Sequence, residues 1–334
     1  MILVTGGTGL VGSHLLVHLT KKNDHIRAIY RTSESIENVK KIFSYYTYTT
    51  STDFFSKIEW IQADITDVPS MIPAFKDVTH VYHCAALISF DPRDYLEMRK
   101  VNIHGTAIVV NLSIDAKVDK LCFISSIAAI GDDPKKQFAN EENEWVGNEK
   151  NNGYAITKYG AEMEVWRASQ EGVDVVIVNP GVILGSGFWD SGSGKLFSQI
   201  YNGFQYYSEG VTGFIGVEDV IESMIQLMEN EIKNERFILV SENLSFKEVL
   251  FSIADSLGKQ RPKKLVKSWQ ASFFWRWEWL LSKVSSSKAR ISKHSAKTLN
   301  SKTYYSSEKI ENSLSIEFEK MNTVIERVCE NYLV

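Results

Sequence analysis

The first twelve residues restrict this chain more than any later stretch does. Met1-Ile-Leu-Val4 is a short apolar run of strand type, and Thr5-Gly-Gly-Thr-Gly-Leu-Val-Gly12 follows it without a spacer. Leu15, Leu16 and Leu19 then recur at helical spacing. Strand, tight turn and helix in that order is the setting in which spaced glycines form a dinucleotide site. Gly6 suits the sharp turn out of the strand. Gly9 has no Cβ, so the backbone can approach a pyrophosphate, and Gly12 lets helix and strand pack closely. Thr8, Leu10 and Val11 complete the loop, and the free N–H groups at the helix start favour phosphate charge.

The second strand decides between the two nicotinamide dinucleotides. His25-Ile-Arg-Ala-Ile-Tyr30 reads as that strand and runs into Arg31-Thr32-Ser33. A site for NAD(H) places an acidic residue here for the ribose 2′-hydroxyl, whereas an Arg accommodates the 2′-phosphate of NADP(H). No Asp or Glu lies between Asp24 and Glu34. Arg31 is therefore expected to bind phosphate, with Ser33 and one of Lys40 or Lys41 assisting, which favours NADP(H) over NAD(H).

At 334 residues the chain can bury one main core and a smaller lobe. A formal net charge of −4 with interspersed signs argues against nucleic acid as a partner. Cys84, Cys122 and Cys329 have no metal-ligand spacing, and Cys84 and Cys122 lie in apolar strand-like runs. Reduced thiols of a cytoplasmic protein with no metal are expected. No apolar run reaches the ~20 residues needed to span a bilayer, and no leader segment is expected ahead of the first strand.

Strand and helix signals alternate through the first half. Further strands are expected at Ile58–Ala63, Val78–His83, Lys120–Ile124, Val173–Val178 and Arg236–Val240. Helical patterns fall between them, notably at Tyr95–Lys117 and Tyr154–Gln170, and a closing helix at Met321–Tyr332. Such alternation implies parallel crossovers. The expected fold is α/β, a Rossmann doubly wound parallel sheet of about seven strands with a smaller mixed C-terminal substrate lobe. Residues 1–180, with 211–241 returning to them, form the dinucleotide-binding domain; 181–210 and 242–334 form the lobe. Gly131–Gly153 is polar and turn-rich and reads as a surface loop.

Tyr154-Ala-Ile-Thr-Lys158 puts a phenol and an ammonium on one helical face, four residues apart. Bringing a tyrosine pKa from about 10 to near neutral takes about 4 kcal/mol of preferential phenolate stabilisation. A nearby fixed positive charge is the direct way to supply it.

These motifs, in this order, resemble the extended short-chain dehydrogenases/reductases, the NAD(P)-dependent epimerases, dehydratases and reductases. The match runs from Thr5–Gly12 through Asp64-Ile65, His83-Cys-Ala-Ala86, Val101-Asn-Ile-His-Gly-Thr106 and Ser125-Ser-Ile-Ala-Ala-Ile-Gly131. It ends with Tyr154–Lys158 and Asn179-Pro-Gly-Val-Ile-Leu-Gly185. Within the group the chain looks most like the dihydroflavonol-reductase-like and 3β-hydroxysteroid-dehydrogenase-like members. The resemblance implies that Asp64 and Ile65 border the adenine, that Ala85 and Ala86 lie beneath the cofactor, and that Pro180, Gly181 and Val182 pack on the nicotinamide. It implies Tyr154 as proton donor, Ser126 as the hydroxyl holding the carbonyl oxygen, and Lys158 as ligand of the nicotinamide ribose that also lowers the tyrosine pKa. Asn102 would help place the site. A homodimer through the Tyr95–Lys117 and Tyr154–Gln170 helices is also implied.

The substrate is less constrained. Sugar-nucleotide enzymes of this group often carry an Arg just before the segment that here reads Gly213–Asp219, and Val211-Thr-Gly213 has none. Leu87, Phe90 and Trp189, with Phe197, Tyr201, Phe204, Tyr206 and Tyr207, offer apolar and aromatic surface to a small-molecule carbonyl. The reading is an oxidoreductase that reduces a small apolar ketone or aldehyde, or oxidises the alcohol. Two alternatives stay open: a nucleotide-sugar epimerase or dehydratase, and a non-catalytic NADP-sensing protein. Trp269–Val284 is apolar nearly all round, which fits burial in the lobe, a subunit contact or a membrane interface. Ser285–Lys302 reads as a basic surface segment.

Overall fold

The computed structural model describes residues 1–22, 25–46, 51–131, 137–147, 152–266 and 301–334. The expectations for 132–136 and 148–151 of the surface loop, for the aromatic stretch 269–284 and for 285–300 lie outside the described residues.

Five strands of the first half appear where their apolar runs lie: β1 (Ile2–Thr5), β2 (Ile26–Tyr30), β3 (Ile58–Gln62), β4 (His80–His83) and β5 (Lys120–Ile124). They are followed by β6 (Asp174–Pro180), β7 (Val182–Leu184), β8 (Tyr206–Tyr207), β9 (Val211–Gly216), β10 (Glu235–Leu239), β11 (Glu242–Ser245) and β12 (Lys264–Leu265). Seven of them build one sheet in the order β10-β6-β5-β4-β1-β2-β3. Every pair in it is parallel. The order reverses between β1 and β4, and such a switch point opens a crevice at the carboxyl ends of the strands. The inner strands are buried on both faces and read as continuous runs such as Val175–Val178, as parallel strands covered by helices do, whereas the edge strand β3 is partly exposed.

Helices Leu10–Lys22, Ser33–Tyr46 and Val217–Glu229 cover one face, and Gly105–Asp115 and Gly153–Gln170 cover the other. The helical stretch expected over Tyr95–Lys117 is present but not uniform. An α-turn at Tyr95–Met98 opens into a wider π-turn at Arg99–His104 and then resumes as Gly105–Asp115. π-turns of this kind are frequent at functional sites, and Asn102 lies inside this one.

A smaller sheet, β11-β9-β7, mixes one parallel and one antiparallel pairing, and β12 pairs with β8. The segment 211–241 is thus divided between the layers. Its first strand belongs to the small sheet, while the helix Val217–Glu229 and β10 return to the large one. The lobe core gathers Leu184, Phe197, Phe214, Ile253 and the closing helix Met321–Leu333. A buried polar bridge ties the glycine-loop helix to this lobe: the His14 ring, with Nε2 3.0 Å from Ser186 O, also meets Tyr46, which donates to Glu218.

Candidate active site

The glycine loop takes its shape from backbone crowding. Gly6 has φ +67°, and a Cβ there would stand 2.5 Å from Ala85 N. A side chain at Gly12 would meet Gly6 O at 2.2 Å, so the close approach is between the helix and the turn rather than the strand. Gly9 differs. It is exposed, and a Cβ on it would meet only Gly6 O, at an ordinary 3.4 Å. Among the described residues nothing requires glycine at 9, so the open space above it is available to a ligand. The helix begins immediately after it, at Leu10, with Ser13 N donating to Gly9 O at 2.9 Å.

Behind the loop runs a buried hydrogen-bond chain whose principal member, His83, was not among the expected site residues. Thr5 and His83 are neighbours across β1 and β4. Thr5 Oγ1 lies 2.6 Å from His83 Nδ1, His83 Nε2 lies 2.9 Å from Thr106 Oγ1, and Thr106 Oγ1 donates to Asn102 O at 2.6 Å. The Thr106 proton is committed to a carbonyl, so its oxygen must accept from Nε2–H, which leaves Nδ1 to accept from Thr5. His83 is therefore neutral, and burial, with the Lys158 charge adding to it, lowers its pKa to about 3. The sequence signal for this role lay only in strand register, which pairs residues 78 positions apart.

Asn102 completes that frame. Its Oδ1 accepts from Leu87 N at 2.7 Å, while Nδ2 donates to Leu87 O at 2.9 Å and to Thr157 Oγ1 at 3.0 Å. The asparagine therefore pins the strand exit to the Gly153–Gln170 helix.

Tyr154 and Lys158 share one buried face of that helix, 9% and 2% exposed. Asn152 caps its start, with Oδ1 accepting from Ala155 N at 2.6 Å. Ser126 sits at the carboxyl end of β5, and its Oγ accepts from Ala128 N at 3.1 Å. The Ser126 hydroxyl lies near enough to the Tyr154 phenol to act on its pKa. Burial pushes the phenol up to about 12, against a small lowering by Ser126. The lowering expected of Lys158 belongs to the site with the oxidised nicotinamide ring beside it. The ammonium is instead turned to Ile124 O at 2.7 Å and lies 4.7 Å from the Phe123 ring centre. Burial drops Lys158 to about 8, with the Glu162 carboxylate opposing the fall.

The other expected residues divide into two groups. Cys84 and Ala85 follow β4 directly beneath Gly6, with Ala86 next in the chain, and Pro180 ends β6 with Gly181 N donating to Leu239 O at 2.9 Å. Val182 begins β7 and Ile65 is buried. Asp64 follows β3. Burial pushes its carboxyl up, but the Thr66 N–H and hydroxyl, both 2.8 Å from Oδ1, together with Arg31 and Lys100, hold it below its usual range. Arg31 and Ser33 are exposed at the end of β2, whereas Lys40 is drawn to Glu37 at 2.7 Å. Phe90 lies edge-on to Tyr154, ring centres 6.0 Å apart, and is 56% exposed. Trp189 does not join them: it packs on Phe197 and Tyr332, with centroid distances of 6.1 and 4.9 Å, as part of the lobe core. Among the described residues no group of His, Cys, Asp and Glu could hold a metal, and no helix is long and apolar enough to cross a membrane.

Known proteins resemble this chain along most of its length. A Synechocystis sp. protein carrying the provisional name dihydroflavonol 4-reductase is 27% identical over 282 residues, 81% of this chain and 77% of its own. Cinnamoyl-CoA reductase 1 of Petunia hybrida is 25% identical over 250 residues, 71% of this chain and 72% of its own. Among solved structures, the UDP-glucose 4-epimerase of Thermotoga maritima with UDP-glucose superposes with a TM-score of 0.77 at 18% identity. That match covers 99% of this chain and 98% of the epimerase. The model of the NAD dependent epimerase/dehydratase family matches residues 2–239, and the chain belongs to that family as an NAD(P)-dependent enzyme.

Proposed function

We propose that this protein is an NADP(H)-dependent oxidoreductase that reduces an apolar ketone or aldehyde with Ser126, Tyr154 and Lys158 as its reacting set. The observation that carries the reading is the buried Tyr154 phenol, facing Ser126 and bordered by the exposed Phe90 ring. The open face at Gly9, the turn at Gly6 and the helix start at Leu10 fit a dinucleotide pyrophosphate. A nicotinamide dinucleotide bound there supplies the hydride. Ser126 donates to the substrate carbonyl oxygen and holds it at Tyr154, whose phenol gives up its proton as negative charge develops on that oxygen. Lys158, largely charged at neutral pH, stabilises the phenolate left behind and donates to ribose hydroxyls. His83 and Asn102 keep β1, β4 and the catalytic helix in register and exchange no proton with substrate.

Phe90, Ile88 and Leu87 give the entrance an apolar rim, which suits a carbonyl compound better than a diphosphate sugar. An absorbance assay separates the two. A reductase consumes NADPH stoichiometrically with carbonyl substrate, while an epimerase leaves the absorbance unchanged; no consumption across a panel of aryl and alkyl ketones and aldehydes would overturn the reading. Arg31, exposed at the end of β2 and within electrostatic reach of the Asp64 carboxylate, is assigned the 2′-phosphate. Thermal stabilisation by NADPH should exceed that by NADH, and Arg31→Ala should remove the difference. Equal stabilisation of the parent protein by both would remove the NADP assignment. Leu96 and Met163, 74% and 40% exposed on the two paired helices, mark the face assigned to a homodimer, and three free thiols agree with a cytoplasmic setting.

A further inference from the structure

Below the tyrosine and lysine the same helical face continues to a third polar residue. Tyr154, Lys158 and Glu162 are spaced four apart, and Glu162 is fully buried, 0% exposed. A buried carboxylate survives only with counter-charge or hydrogen bonds. Its Oε1 accepts from Asn179 Nδ2 at 2.6 Å, and the same Nδ2 donates to Ser126 O at 3.0 Å. Its Oε2 has no hydrogen-bond partner, and Arg236 Nη1 from β10 stands 3.5 Å from it. Arg236 is itself committed to the 137–147 segment, donating to Glu141 O and Asn143 O. Burial raises the Glu162 carboxyl above its ordinary range, and the Ser125 hydroxyl, Asn179, Arg236 and Lys158 oppose that rise.

We propose that Glu162 is a positioning residue for the reaction: it supplies the buried negative charge that keeps Lys158 ionised, and through Asn179 it fixes the main chain at Ser126. The inference rests on the reading of Ser126, Tyr154 and Lys158 as the reacting set. The charges around the pair leave this role to Glu162. On the helix itself only Tyr154 and Glu162 flank Lys158. From β4 and its exit, His83 is neutral and the Cys84 thiol is pushed up to about 12 by burial, so neither carries charge near neutral pH. From β5 and β6 come Ser125 and Asn179, which are uncharged, and from β10 comes Arg236, which faces the carboxylate. An ammonium with 2% exposure and no anion beside it would be strongly disposed to lose its proton.

Two measurements test this without requiring turnover. In the wild-type protein, the 13Cδ shift of Glu162 should report an ionised carboxylate at pH 7; a protonated carboxyl there overturns the proposal, because a neutral group supplies no counter-charge. In Glu162→Gln, which keeps the side-chain shape and the acceptor for Asn179, the 13Cε titration of Lys158 should move down by at least about one pH unit. Lys158→Arg assigns that signal. Glu162→Asp keeps the charge, so its Lys158 midpoint should stay close to wild type even where stability falls. A packing role alone predicts the opposite ranking, with Gln harmless and Asp damaging, and an unmoved Lys158 midpoint in Gln sinks the idea. In steady-state assays the alkaline fall of kcat/KM should move with that midpoint. Failure to reduce any carbonyl would count against the proposed function and leave both NMR outcomes readable.

Discussion

Tyr154→Phe should lower carbonyl turnover by roughly 10²–10⁴-fold, the range spanned by general acid catalysis, while leaving cofactor affinity within about twofold. The substitution removes one oxygen. The ring stays against Phe90, and the helix keeps its Asn152 cap and its packing on the Tyr95–Met98 turn. The deleted hydroxyl is buried and its proton is held to about 12, so its loss does not strip the fold of a charge. Stopped-flow single turnovers with NADPH would read the chemical step, and fluorescence titration would read binding. Retention of more than about a tenth of wild-type turnover would remove Tyr154 as the acid and shift attention to Ser126.

Gly12→Ala and Gly9→Ala should part company, although both alter the same loop. At Gly12 the added methyl runs into the Gly6–Gly7 peptide, at 2.2 Å from Gly6 O and 2.8 Å from Gly6 C and Gly7 Cα. Neither side can rotate away, so the helix must move off the turn, at a cost of about 1–3 kcal/mol or more in the unliganded protein. At Gly9 the methyl finds only Gly6 O at 3.4 Å and φ is not positive, so unliganded stability should change by less than about 1 kcal/mol. Its methyl would occupy the open side of the loop, where the pyrophosphate is assigned, and stabilisation by NADPH should drop sharply. Urea melts with and without NADPH distinguish the two. Full NADPH stabilisation of Gly9→Ala would show that the phosphates do not pass over that residue.

The central sheet was legible because its physics is local. Each of the seven parallel strands is a short apolar run between helical patterns, and all seven lie within one or two residues of expectation. The same holds for the glycine loop, where a turn and a close approach leave their mark as missing side chains. Irregular and lobe regions were less legible. The π-turn at Arg99–His104 has ordinary helix-forming residues, so nothing in its composition separates it from the α-turns around it. Trp189 carried the composition of a cleft residue, but its ring was claimed by Phe197 and Tyr332, the latter from the last helix of the chain. Aromatic character shows that a side chain will be buried, not which neighbour will bury it.

Taken alone, the sequence determined the chemistry that can be placed on this fold: a strand–turn–helix able to receive phosphates, an arginine without an acidic rival at the second strand, and a tyrosine and lysine on one helical face. These follow from spacing along a helix or strand, which is set by backbone geometry within a few residues. The electrostatics of that chemistry were decided only in three dimensions. Lys158 is turned to Ile124 O, Tyr154 is raised by burial, and His83 is neutral between Thr5 and Thr106. Each of these depends on desolvation, and the histidine and lysine also on partners from other elements, 23 and 78 residues away for His83 and 34 for the lysine. A charge near neutral pH responds to whatever surrounds it within a few ångströms, and parallel crossovers bring distant segments into that shell.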